Sequence, residues 1–99
     1  MRAEKPREIA IRALRQHSEG AGRLEDIFDD AAGRSSLAAA DRALAQEITF
    51  GVMRWQATLD WLIARKTAGR TQKNLLQILL RAGLYQLFWL DNSGLQVGS

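Results

Sequence analysis

Cysteine is missing from all 99 residues, which excludes a disulfide framework, a thiolate zinc site and a cysteine nucleophile. A single imidazole, His17, leaves no histidine-rich metal site either, and its place near a helix end suits a capping role better than catalysis. The opening MRAEKPREIA has no apolar core of a secretory leader. No long apolar run is uninterrupted: the strongest, Leu75 to Leu90, is broken by Gln77, Arg81 and Gln86, and so reads as a core helix instead of a membrane span. Strand-like alternation is absent throughout. The glycines of SEGAG (Ser18 to Gly22) follow no strand and lack the rest of a nucleotide or methyl-donor fingerprint, so no cofactor is expected in this chain. With no cofactor loop, activated nucleophile or ligand cluster, an independent enzyme is not expected. The expectation is a small, soluble, cytoplasmic all-α domain with no membrane partner.

The charge that is present is unevenly placed. Residues 1–17 hold five basic and two acidic side chains, residues 18–33 one and five, and residues 34–99 eight and four. Between Arg54 and Arg81 the contrast is sharper, because Arg54, Arg65, Lys66, Arg70, Lys73 and Arg81 are accompanied by Asp60 alone. A cation cluster of this kind suits a polyanion, and equally a solvated helical surface. The carboxylates Glu25, Asp26, Asp29 and Asp30 have the composition of a magnesium or acid–base pair, but consecutive acids on a short helix are usually only solvated, and that face should repel RNA.

Apolar spacing supplies the elements. Leu44, Ile48, Val52, Trp55, Leu59 and Leu62 recur at helical steps, forming one stripe from Asp41 to about Lys66, where Gly69 ends it. Gly51 interrupts this pattern at about 1 kcal/mol against alanine, so a close helix neighbour or a bend is expected there. Upstream, Ile9, Ala10, Ala13 and Leu14 mark a helix from Pro6 to His17, and Leu24, Ile27, Phe28 and Ala31 a second one stopping at Gly33. Ser36 or Asp41 can cap the third helix, and Thr71 the fifth. That fifth helix is apolar nearly all round, as befits the centre of a bundle, with a narrow polar strip of Asn74, Gln77, Arg81 and Tyr85. The strip is either the rim of a core helix or a source of hydrogen bonds and stacking for RNA. Trp55, Trp61 and Trp89 read as core anchors in preference to base-stacking platforms.

Two stretches, DRALAQEITFGVMRWQATLDWLI from Asp41 and LLQILLRAGLYQLFWLD ending at Asp91, closely resemble the NusB-like RNA-binding domain. They resemble especially the version at the N-terminus of Sun/Fmu-type ribosomal RNA cytosine-C5 methyltransferases. The resemblance spans about residues 7–91 and is carried best by Asp41, Arg42, Gly51, Arg54, Trp55 and Asp60, then by Arg81, Gly83, Tyr85 and Gln86. It implies an all-helical bundle of two small subdomains, about five helices here, that binds RNA alone or with a protein partner.

Under that resemblance the residues expected on RNA phosphates are Lys5, Arg7, Arg12, Arg54, Arg65, Lys66, Arg70, Lys73 and Arg81, the RNA being ribosomal. Arg54 and Arg81 belong to the family motifs and can instead pair with Asp60 or Asp41 inside the domain. Arg2 joins the N-terminal basic element, although the contiguous arginine run of the antitermination factor NusB is missing. S-adenosylmethionine and the catalytic cysteines would belong to a parent methyltransferase, outside this chain. The alternative is a protein-interaction module of transcription antitermination that uses the acidic second helix. Family members continue beyond the LD at Asp91 with an alanine- and valine-rich helix, where this chain reads NSGLQVGS. A domain over 1–91 lacking the last one or two helices is therefore expected, with 92–99 a disordered or extraneous tail. Uncovered apolar surface on helix five would then favour a homodimer or a swapped assembly.

Overall fold

The computed structural model describes residues 4–91; Arg2 and the expected tail at 92–99 lie outside the described residues. All regular structure among those residues is helical: α1 (Glu4–Ser18), α2 (Leu24–Ser35), α3 (Ala39–Arg54), α4 (Gln56–Lys66), α5 (Asn74–Tyr85) and a π-helical segment, Gln86–Asp91. The expected all-α class is therefore what is found. The chain divides into two compact units between Phe50 and Gly51, inside α3.

In the first unit α1 packs on α2. Pro6, Ile9, Ala10, Ala13 and Leu14 are buried on one helix and Leu24, Ile27, Phe28, Ala31 and Ala32 on the other, the spacing that places them on one face of each. Helix α1 starts two residues before Pro6, whose missing N–H falls in the first turn and so removes no intrahelical bond. Phe28 meets Phe50 of α3 edge-on at 5.7 Å. Arg42 donates to Asp29 at 3.0 Å and lies 5.5 Å over the Phe28 ring, so its stem and charge both serve the α2–α3 contact. The buried Thr49 hydroxyl donates to the Ala45 carbonyl at 2.7 Å, which satisfies it within its own helix.

Two helix ends differ from the sequence expectation. Helix α2 runs through Gly33 to Ser35, because Arg34 bonds Asp30 and the Ser35 hydroxyl bonds the Ala31 carbonyl; the left-handed residue is Ser36, at φ 52°. Helix α3 begins at Ala39, so Asp41 sits in its first turn, where its charge complements the positive helix end, and is not the cap.

The second unit packs α5 on α4 and on the π-helical segment. Its core consists of Val52, Leu59, Ile63, Ile78, Ala82 and Tyr85. The close neighbour expected at Gly51 is the Tyr85 ring: a Cβ there would collide with the ring's outer edge. Trp55 occupies the single non-helical position between α3 and α4, yet the backbone ladder passes through it, with Trp55 N–H to Gly51 O at 3.0 Å and Leu59 N–H to Trp55 O at 2.9 Å. Lys73, not Thr71, precedes the first turn of α5, and no side chain caps it. The α-helix ends at Tyr85 instead of continuing to Leu90. Beyond it the π winding places Trp89 flat on Tyr85 at 5.5 Å and against Trp55 at 5.2 Å.

Burial of α5 covers only Ile78, Ala82 and Tyr85. Within its unit α5 has the partner α4 on one side, so Leu75, Leu76 and Leu79, with Leu87 and Phe88 beyond, stay between 38% and 50% exposed. The bundle-centre expectation is corrected for this chain by itself; the expectation of uncovered apolar surface on helix five is met.

Candidate nucleic-acid interface

The six cations between Arg54 and Arg81 fall into three environments. Arg81 is drawn inward, with Nε 2.7 Å from Asp60 Oδ1 and Nη2 3.1 Å from Oδ2. Gln77 donates to the same Oδ1 at 2.9 Å. The polar strip of α5 is thus a clamp on α4, and Tyr85, at its end, is buried. Partial burial pushes the Asp60 carboxyl upward, but the hydrogen bonds from Arg81 and Gln77 and the guanidinium charge outweigh it, holding the group below its ordinary range. Of the pairings open to Arg81 in the sequence, the one with Asp60 is realised.

Arg65, Lys66, Arg70 and Lys73 are exposed on the last turn of α4 and the loop after it. Their backbone is fixed. Thr67 donates its N–H and its hydroxyl to the Ile63 carbonyl, both at 2.9 Å, and Gly69 N–H reaches Ala64 O at 2.8 Å. Ala68 and Gly69 take left-handed φ values of 55° and 80°, turning the chain at the helix end. The Gln72 amide then bonds the Arg70 carbonyl at 3.0 Å. Cations here also oppose the negative end of the α4 dipole, which favours them by tenths of a kcal/mol each. Arg54, the last residue of α3, is exposed just before the start of α4, a helix of 11 residues and so about 16 Å long.

Lys5, Arg7 and Arg12 are exposed on α1, in the first unit. That unit carries eight basic and nine acidic side chains, the second six and two, so the net charge of +3 originates in the second unit. The acidic cluster of α2 is partly neutralised within its own unit: Asp30 pairs with Arg34 at 3.1 Å, Asp29 with Arg42 at 3.0 Å and Glu25 with Arg23 at 3.9 Å. Among the described residues no group of acids or histidines has the arrangement of a metal site. No described helix is long and apolar enough to cross a membrane.

The sequence reading missed Trp61. It is 57% exposed, not a core anchor, and Arg65 lies 4.9 Å over its ring. The signal was available: Trp61 is off the Leu59–Ile63 stripe, and of its four neighbours three and four residues away, Ala57, Thr58 and Ala64 are too small to cover an indole, which leaves Arg65. Trp55 is also partly exposed, at 39%, beside Trp89.

The model of the NusB family matches residues 4–97. Among curated proteins the chain is similar to "Ribosomal RNA small subunit methyltransferase B" of Escherichia coli O1:K1, being 34% identical over 87 residues that cover 84% of this chain and 19% of that protein. The proteins of the same name from Escherichia coli O9:H4 and Shigella boydii serotype 18 match with the same identity and coverage. The chain thus spans about a fifth of the length of these relatives, 19%. No solved structure gives a significant match.

Proposed function

The chain belongs to the NusB family, and from that premise we propose that it is an RNA-binding domain that helps a ribosomal RNA cytosine-C5 methyltransferase engage its substrate. In this reading the chain performs no chemistry and works in the cytoplasm. S-adenosylmethionine and the catalytic groups belong to the rest of the parent protein. The carrying observation is the surplus of exposed cations in the second unit, where Asp60, the one acid between Arg54 and Arg81, is already taken by Arg81 and Gln77. Arg65, Lys66, Arg70 and Lys73 contact phosphates, while Lys5, Arg7, Arg12 and Arg54 add longer-range attraction; Arg81 acts by positioning α5 on α4. If four phosphates of a single strand are contacted, affinity falls with a salt slope of about −3, or roughly 50- to 100-fold between ~50 and ~200 mM salt. Fluorescence anisotropy with single-stranded ribosomal RNA fragments tests this; binding absent at low salt, or insensitive to salt, contradicts it.

A second reading, a protein-interaction module of antitermination type, draws on the exposed Glu25 and Asp26 of α2. It calls for a basic partner recovered without RNA. Under either reading the exposed leucine face of α5 is proposed to be covered by a second copy of this chain in solution, since apolar patches of this kind favour association.

A further inference from the structure

The exposed ring of Trp61 is a feature that neither folding nor charge accounts for. It is the most exposed of the large apolar side chains among the described residues. Ala57, Thr58 and Ala64, one helical turn to either side, are themselves exposed and too small to cover the ring, and Arg65 lies over it. Arg65 has no acidic partner among the described residues. The adjacent carboxylate, Asp60, is held by α5. A flat aromatic surface joined to a guanidinium, with Lys66 at the end of the same helix and Arg70 and Lys73 in the loop after it, combines the two elements of single-strand recognition: a stacking face for a base and cations for the backbone. What favours a nucleic acid over a protein at this ring is the run of cations Lys66, Arg70 and Lys73 after it, with no acidic residue between Trp61 and Arg81.

We propose that Trp61, together with Arg65, is a stacking platform for an unpaired nucleobase, making the α4 surface selective for single-stranded over double-stranded RNA. The inference rests on the reading of the second unit as an RNA-binding surface. In a duplex the bases are already stacked and out of reach, whereas an unpaired base brings its own π-face. Because Trp61 is exposed, Trp61→Ala and Trp61→Phe should both fold, as thermal unfolding will verify. The platform predicts that Trp61→Ala loses about 5- to 150-fold in affinity for a single-stranded RNA while Trp61→Phe retains most of it. Duplex affinity and the salt slope stay as in the unsubstituted chain, since no phosphate contact is removed. If the unsubstituted chain binds RNA with the expected salt dependence but Trp61→Ala binds single strands equally well, the platform is wrong and the RNA-binding reading stands. Equal losses for single and double strands also overturn the platform. If the unsubstituted chain binds neither, both the platform and the reading beneath it fall.

Discussion

Arg81 grips both oxygens of Asp60 across the α4–α5 contact, at 2.7 and 3.1 Å, and so commits the one carboxylate between Arg54 and Arg81 to a bond within the fold. One ion pair thereby serves two ends. It ties two helices of the second unit together, and it engages the one acid that lies in sequence among the cations from Arg54 to Arg81.

Acid should loosen this clamp. The Asp60 carboxyl titrates below its unfolded value of about 3.9, so its contribution is complete above that pH and disappears as pH falls through the lower folded value. Since the Asp60 side chain is 37% exposed, the contribution is of order 1 kcal/mol after screening. Asp60→Asn should lower the melting temperature near neutrality, and the gap to the unsubstituted chain should close as pH is taken below about 4. A gap that is constant between pH 7 and pH 3 would show that the charge is irrelevant to the clamp.

Glycine substitutions should separate close packing from helix propensity. Gly51→Ala gains about 1 kcal/mol of propensity but drives a methyl into the buried, stacked Tyr85 ring, for a net loss of about 1–3 kcal/mol. Gly83→Ala and Gly33→Ala, also inside helices but with nothing within 4 Å of the added carbon, should stabilise by about 0.5–1 kcal/mol. Denaturant unfolding of the three variants reads the difference in sign.

The exposed leucines make a prediction about assembly. Leu76→Gln with Leu79→Gln replaces side chains that are 44% and 46% exposed, so the single chain should lose little stability. Self-association measured by light scattering should nonetheless weaken. A chain that is already monomeric at high concentration rules out the second copy as the occupant of this face.

Much of this architecture is legible in residue spacing. The stripe of Ile48, Val52 and Leu59 is buried as the helical period requires, and the penalty at Gly51 correctly signalled a near neighbour. Spacing alone does not identify that neighbour, because Tyr85 is 34 positions away and is brought in by tertiary packing. Helix ends were misread where a side-chain bond overrode a local signal: Arg34 and Ser35 carry α2 past Gly33, and Ser36 takes the left-handed position that glycine usually fills. Within the site, the cation cluster was visible as composition. The commitment of Arg81 to Asp60 was one of two open readings, settled by geometry. The exposure of Trp61 follows from its helical position off the buried Leu59–Ile63 stripe, which the general tendency of tryptophan to be buried conceals.

Whether the exposed cations following Trp61 bind RNA through its phosphates is decided by reversing charges where the fold does not depend on them. Arg65→Glu, Lys66→Glu and Arg70→Glu, combined in one chain, alter exposed positions on the last turn of α4 and its loop. Phosphate contact by these residues predicts an unchanged helical spectrum, at least a tenfold loss of affinity for single-stranded ribosomal RNA, and a salt slope shallower by about 2. Affinity and slope equal to those of the unsubstituted chain at low salt would contradict it.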